Sequence, residues 1–380
     1  MSIALYIHWP FCVKKCPYCD FNSHVRDAVD QDIWLYSLLC DLEHEATLTH
    51  DRKIGSIFFG GGTPSLMPPA TVAALITKAE SLWGFADDVE ITLEANPSSV
   101  EAARFADLAA AGVNRVSLGL QSLDDDALQF LGRAHSVIEG LNALHTAQSH
   151  FNRVSFDLIY ALPEQTEAQW RAELSRALGF GTDHLSLYQL TIEDGTKFAT
   201  LARQGAFVPA DDDYAAGLFE MTRSMTADAG MPAYEISNHA RPGQQSRHNL
   251  TYWRYQDYIG IGPGAHGRRN AMATQRHKKP ENFLSAVDRN RNGISSEEAL
   301  SSKTRAVEAL LMGLRLDEGL ELDILSKRLD RDIRQDLDWD KIDQLSAHGL
   351  LHHHENHLRI SGTGMPVLDG ILTQIVRTEA

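Results

Sequence analysis

The sequence predicts an α/β protein: an incomplete (β/α)6 barrel followed by a smaller α+β, winged-helix-like module. Two observations predict it. Up to about residue 200, six short apolar runs alternate with longer helical patterns, the rhythm of β/α repeats around a parallel sheet. From residue 302 the order changes to helices, a hairpin pattern and a final helix.

The strand candidates are IALYIHW (3–9), SIFFGGG (56–62), EITLEAN (90–96), RVSLGLQ (115–121), VSFDLIY (154–160) and HLSLYQL (184–190). Several lack clean alternation, which suits parallel strands buried on both faces. Helical patterns separate them: DIWLYSLLCDLEHEA, PATVAALITKAESLW, VEAARFADLAAAG, DDDALQFLG and EAQWRAELSRALGFG. DDDYAAGLFEMTRSMTADAG reads as a further helix, with Asp residues near its start and Gly230 at its end. Residues 242–267 are Gly-rich and read as irregular. In the last unit, helices near 304–315 and 321–329 precede WDKIDQLSAHGLL, a hairpin in LLHHHENHLRISGTG and a helix in MPVLDGILTQIV. The expected division is 1–200, the partial barrel with an N-terminal cysteine loop; 201–301, a barrel-covering extension containing HNLTYW; and 302–380, the C-terminal module.

Composition narrows the function. The 380 residues are 43% hydrophobic and carry a net charge of −16. An acidic surface repels phosphate backbones, so no nucleic-acid partner is expected. No apolar run reaches the ~20 residues that span a bilayer. The opening MSIALYIHWPFC lacks a basic n-region and a long apolar h-region, so no signal peptide is expected. Four cysteines in so long a chain are no disulfide framework. The expected compartment is the cytoplasm, where clustered thiols bind metal or do redox work.

Three of those cysteines, Cys12, Cys16 and Cys19, form CxxxCxxC. Three close thiolates without an obvious fourth ligand suit a 4Fe–4S cluster with one iron left open. Zinc completed by His8 or His24 is an alternative, as is chance proximity of buried thiols. Cys40 falls in an apolar helix and reads as a buried free thiol.

YIHWPFCVKKCPYCDF resembles the signature of the radical S-adenosylmethionine (SAM) superfamily, with Tyr18 as the aromatic before the third Cys. Tyr6, FFGGGTPS, LEANP, GLQS and DLIYALP, in this order, resemble the branch that holds oxygen-independent coproporphyrinogen III oxidases and their haem-chaperone relatives. The resemblance runs nearly the whole chain. It implies a 4Fe–4S cluster on Cys12, Cys16 and Cys19 and SAM chelated to the fourth iron. For SAM it implies contacts from Tyr6, Tyr18, Gly61, Gly62, Thr63, Glu94, Gln121, Arg133, Asp157, Thr191 and His266. The strand pattern agrees: in parallel β/α barrels chemistry gathers at the C-terminal strand ends, where the cysteines, Gly60 to Thr63, Glu94, Gln121 and Thr191 are expected, with Asp157 in strand five. Glycines there let backbone approach a ligand closely.

Two departures separate carrier from enzyme within this branch. The oxidases resemble CxxxCxxCxC, and here Phe21 takes the last position; they also carry a segment before the cluster, for which Cys12 leaves no room. The resemblance therefore implies a haem chaperone, with haem as cargo and haem-receiving proteins as partners, membrane-associated respiratory ones among the candidates; a homodimer stays open. The alternative is an oxygen-independent coproporphyrinogen III oxidase, a radical-SAM decarboxylase. SAM cleavage by the core is compatible with either. HNLTYW resembles an HNxxYW motif of the chaperone branch, making His248, Tyr252 and Trp253 the haem-contact candidates. A loop histidine bonded to backbone beside a core tryptophan is the other reading. The run His352 to His354, with His348 and His357, reads as the solvated face of a hairpin.

Overall fold

The computed structural model describes residues 2–26 and 28–377. Met1 and residues 378–380, the outer ends of the first and last expected units, lie outside the described residues, as does Asp27. All six expected strands form: Ser2–Trp9, Lys53–Gly61, Phe85–Ala95, Arg115–Gln121, Arg153–Tyr160 and His184–Gln189. They pair in that order, each parallel to the next. In the first strand Ile3, Ala4, Leu5 and Ile7 are all buried, so successive side chains on opposite faces are covered. Full burial of each such Leu or Ile contributes about 1.5–3 kcal/mol.

The intervening helices start where polar caps place them. Asp30 accepts from the N–H groups of Asp32 (3.2 Å) and Ile33 (3.1 Å) to open Gln31–Thr49. Reciprocal capping boxes, Ser136 with Glu139 and Thr166 with Gln169, open Val137–His150 and Glu167–Leu178. Each helix returns the chain to the same side of the sheet, so the C-terminal strand ends gather at one mouth.

The stretch 242–267, expected to be irregular, is ordered. It holds the helix Arg247–Trp253 and the strands Tyr258–Ile261 and His266–Arg269. Tyr258–Ile261 lies parallel to the first strand, with Tyr6 opposite Gly260, and adds a seventh parallel strand. The strands Met272–Arg276 and Ile294–Ala299 continue the sheet antiparallel. At the far edge Asn238–Ala240 runs antiparallel to His184–Gln189. Residues expected to cover the barrel thus extend its sheet at both ends, giving eleven strands among the described residues. The glycines serve close packing: a Cβ on Gly260 would sit 1.8 Å from the His266 carbonyl oxygen. One on Gly262, at φ +90°, would sit 2.4 Å from the His8 carbonyl.

Buried charges fasten this addition to the first helix. Arg276 pairs with Asp41 (3.2 Å) and Glu45 (2.6 Å), and Arg269 with Glu45 (2.5 Å) and Glu297 (2.7 Å). Burial opposes ionisation of Glu45, but the two guanidinium groups overcome it and hold its pKa below the usual carboxylate range.

The C-terminal unit follows the expected order: Ser302–Gly313, Leu322–Leu329, Trp339–Ala347, the hairpin Leu351–His354 and His357–Ile360, then Leu368–Ile375. It packs its own apolar cluster around Leu310, Leu322, Ile342, Leu358 and Ile371, to which Phe219 and Tyr255 contribute from outside the unit. Among the described residues no helix is long and apolar enough to cross a membrane.

Candidate functional site

Cys12, Cys16 and Cys19 lie on the loop that leaves the first strand. The loop is closed by a short parallel ladder, Phe11 opposite His24 and Cys12 opposite Val25. All three thiols are free and line one cavity of about 150 Å³, whereas Cys40 is buried in a helix away from it. Thr63 Oγ1 donates to Cys12 Sγ at 3.5 Å, and Arg133 Nη1 to Cys16 Sγ at 3.3 Å. Burial, reinforced by the other thiols, raises the pKa of Cys12 and of Cys19. Such a set is stabilised by a shared positive centre. Among the described residues no three His, Cys, Asp or Glu side chains are grouped to hold one metal ion. Three thiols facing a common cavity fit a polynuclear cluster better than zinc. His8 is no fourth ligand, because both its ring nitrogens are engaged: Tyr6 Oη donates to Nδ1 and Nε2–H donates to the Asn22 carbonyl, each at 2.9 Å. Burial lowers its pKa to about 4, so the ring is neutral.

The next strands complete the wall. Gly61, Gly62, Thr63, Glu94, Gln121 and Asp157 line the same cavity as the cysteines, with Tyr18 and Arg133. Gly61 has φ +114° and its N–H donates to Glu94 Oε2 at 3.2 Å. A Cβ there would lie 2.6 Å from the His8 ring, and one on Gly62 would lie 2.7 Å from the Phe11 carbonyl oxygen. These glycines are required first by the chain's own packing, and ligand access comes with it. Gln121, a non-glycine residue at φ 69°, holds an uncommon backbone conformation at the cavity wall.

Two carboxyls face this cavity short of positive charge. Burial, and then the charge of Asp157, pushes Glu94 up to about 8. Burial raises Asp157 to about 6, against a hydrogen bond from Ser117 at 3.2 Å. A bound cation would relieve both. Arg133 ties wall to loop: beyond Cys16, its Nη2 donates to Asn96 Oδ1 (2.6 Å) and to the Gly119 carbonyl (3.0 Å). Its Nε is buried without a protein partner among the described residues.

A larger cavity, about 1200 Å³, adjoins the first, and Lys15, Phe21, Ser23, Gly61 and Glu94 line both. Tyr6, His266, Tyr252 and Trp253 border only this larger one. Tyr188 and Glu235 form part of another wall.

Two expectations fail in the structure. Thr191 is exposed and lines neither cavity, because the sixth strand ends at Gln189 before it. His248 is not an available haem ligand. It is 1% exposed on a helix, not a loop, and both ring nitrogens are occupied, Nδ1 by Ser56 Oγ (3.0 Å) and Nε2 by Tyr252 Oη (2.6 Å). Burial, and then Arg115, lowers its pKa to about 3. Glu90, paired with Arg153, accepts from the backbone N–H groups of Arg247 (3.0 Å) and His248 (3.3 Å), pinning the helix start. HNLTYW therefore folds as a structural plug that presents Tyr252 and Trp253 to the larger cavity. In the C-terminal hairpin His352 and His354 are exposed, and His353 packs at 4.9 Å between ring centroids on Trp339.

Sequence reading missed Asn96, Ser117 and Gly119 as wall residues, although each lies inside a quoted run, LEANP or RVSLGLQ. Lys15 and Tyr188 also lie inside quoted runs, YIHWPFCVKKCPYCDF and HLSLYQL, and were passed over, whereas nothing in the local sequence marks Glu235.

The Radical SAM superfamily profile matches residues 6–177, and the HemN C-terminal domain profile matches residues 300–367. The chain is 37% identical over 369 residues to the haem chaperone HemW of Escherichia coli (strain K12), covering 92% of this chain and 95% of that protein. It is 39% identical over 388 residues to the mitochondrial radical S-adenosyl methionine domain-containing protein 1 of Bos taurus, covering 98% of this chain and 87% of that protein. In structure it is similar to coproporphyrinogen III oxidase (HemN) from Escherichia coli, with a TM-score of 0.82 at 22% identity, over 98% of this chain and 89% of that one.

Proposed function

The chain belongs to the radical SAM superfamily and, within it, to the haem chaperone HemW family, and from that premise we propose that it binds haem and passes it to haem proteins. Superfamily membership implies a 4Fe–4S cluster and SAM. Cys12, Cys16 and Cys19 would hold the cluster, with Arg133 and Thr63 orienting the thiolates of Cys16 and Cys12. Glu94 and Asp157 would receive the positive charge of SAM, while Gly61, Gly62, Gln121 and Tyr18 shape its walls. Tyr6 and His266 border the adjoining cavity, beside which SAM would extend. When bound, cluster and SAM supply one-electron and radical chemistry. Haem is the cargo, haem-receiving proteins are the partners and the cytoplasm is the proposed compartment, although the Bos taurus relative is named mitochondrial. Of the expected division 1–200, 201–301 and 302–380, the proposal keeps the last as a unit, supported by its separate apolar cluster, and joins the first two, which share one sheet.

The observation that carries this reading is the junction of two cavities: one walled by three thiols and two cation-seeking carboxyls, the other large and bordered by Tyr6, Phe21, Tyr252 and Trp253. The first suits the cofactors and the second a flat apolar cargo. Phe21, where the oxidases resemble a further cysteine, stands at the seam of the two. Anaerobic reconstitution with iron and sulfide tests the proposal on one sample. Haem uptake without conversion of coproporphyrinogen III is expected. Decarboxylation in the presence of SAM and a reductant would establish the oxidase reading instead.

A further inference from the structure

Two of the three thiols receive a hydrogen bond from the cavity wall, Cys12 from Thr63 and Cys16 from Arg133. These donors are 70 residues apart in number, past the second and the fourth strand, yet they meet at one side chain. Asn96, just past the third strand, lines the same cavity. Its Nδ2 donates to Thr63 Oγ1 at 3.1 Å, and its Oδ1 accepts from Arg133 Nη2 at 2.6 Å.

The chemistry of the groups leaves one arrangement. A guanidinium only donates, so the amide oxygen of Asn96 must face Arg133 and its nitrogen must face Thr63. The Thr63 oxygen takes that amide proton, so the hydroxyl's own proton points elsewhere, and Cys12 Sγ stands 3.5 Å away to receive it. With the amide turned over, its oxygen would draw the Thr63 proton off the sulfur and its nitrogen would confront the guanidinium. On the other side, Nη2 of Arg133 is held by Asn96 and by the Gly119 carbonyl at 3.0 Å, which leaves Nη1 aimed at Cys16 Sγ at 3.3 Å.

Asn96 is itself held from behind. Its backbone N–H donates to Glu101 Oε2 at 2.9 Å, and the same carboxyl oxygen accepts from the Ser65 hydroxyl. Glu101, Ser65 and Thr63 are all buried, so the amide is fixed at its backbone and at both ends of its side chain. The third thiol lies outside this network: the hydroxyl nearest Cys19 Sγ is Ser23, at 4.0 Å.

Resting on the cluster assignment above, we infer that Asn96 is a positioning residue for the iron–sulfur cluster: its one amide directs the Thr63 hydroxyl at Cys12 and the Arg133 guanidinium at Cys16, and so sets the cluster potential through two ligands at once. A donor on a ligating sulfur favours the more negative, reduced state. Two of the three sulfurs are thereby tuned together by a side chain that touches neither of them.

The test uses the full chain, anaerobically reconstituted with iron and sulfide, and reads the cluster potential by redox titration followed by electron paramagnetic resonance. Asn96→Ala should keep the three ligands and make the potential more negative. Each thiolate hydrogen bond lost should disfavour the reduced cluster about tenfold, which is about 59 mV for a one-electron couple. In a Thr63→Val/Arg133→Met background the same substitution should move the potential no further, because both donors that it directs are gone. Asn96→Asp is a second variant of nearly the same shape, which guards against a failure of Asn96→Ala to fold. It still accepts from Arg133 but has no proton to give Thr63, so its shift should shrink once Thr63 is Val. An unchanged potential in these variants, or an Asn96→Ala shift that persists without Thr63 and Arg133, overturns the inference while the cluster assignment stands. No iron uptake by wild type overturns the inference and the cluster assignment together.

Discussion

Arg133 Nη1 stands 3.3 Å from Cys16 Sγ, while Nη2 of the same guanidinium spans Asn96 and the Gly119 carbonyl. One side chain thereby connects the cysteine loop to the third and fourth strand ends. A positive donor on a ligating sulfur stabilises the more negative state of a cluster. Arg133→Met is expected to keep the three ligands but shift the cluster potential negative, on the order of 50 mV. A redox titration followed by electron paramagnetic resonance measures it, and an unchanged potential would detach Arg133 from the cluster.

Replacing Cys12, Cys16 or Cys19 by Ala should abolish the cluster. Cys40→Ala should retain it, costing about 1 kcal/mol of stability for one buried sulfur. Iron and sulfide analysis decides: full iron retention in Cys16→Ala would sink the ligand assignment.

The two raised carboxyls give SAM binding a pH profile. Without a bound cation Glu94 stays protonated up to about pH 8 and Asp157 up to about pH 6. Each must ionise to attract a cationic ligand, so affinity should rise between about pH 6 and 8 and level above, by at most about tenfold per pH unit per titrating group. Glu94→Gln should remove the upper part of the rise. Stability without ligand runs the other way. The folded form holds Glu94's proton more tightly than the unfolded chain, so that contribution is present below its ordinary value of 4.5 and is lost as pH rises through about 8. Calorimetric titration and melting curves across this window check both signs; a flat affinity profile in wild type would remove Glu94 from the SAM site.

His248→Ala is expected to act on stability before it acts on haem. It strands Ser56 and Tyr252 inside the protein and opens a cavity, costing about 2–4 kcal/mol. Denaturant unfolding should show that loss. If stability is unchanged while the haem spectrum is altered, the ring must leave its buried position to bind iron.

The six central strands were legible because uninterrupted apolar runs between capped helices leave few alternatives. The additions at 258–299 were not. Their strands are short, and Gly260, Gly262 and Gly264 read as loop punctuation when they are contact glycines, Gly260 against the nearby His266 backbone and Gly262 and Gly264 against His8 and Asn22, far away in sequence. At the site, residues that share a strand end were readable from one β/α rhythm, as with the cysteines, Gly61 and Glu94. Thr191 failed because the sixth strand stopped short of the expected end. His248 misled because a motif shows which residues go together, while the depth at which they lie depends on Ser56 and Glu90, far off in sequence.

The position of the first strand has a consequence for biogenesis. Ser2–Trp9 is made before the other strands of its sheet, yet one of its neighbours is Tyr258–Ile261. As the ribosome releases the chain, that edge stays open until some 250 further residues have emerged, and long-range pairing of this kind is slow. The cysteine loop hangs from the same strand, and Asn22 on it donates to the carbonyls of Pro263 (2.9 Å) and Lys278 (3.0 Å). A nascent chain halted before these residues lacks the clasp that holds its thiols in place. Iron–sulfur loading at these thiols is therefore expected only after translation of the sheet is complete, and a truncation ending near residue 200 should expose a bare strand edge beside three cysteines.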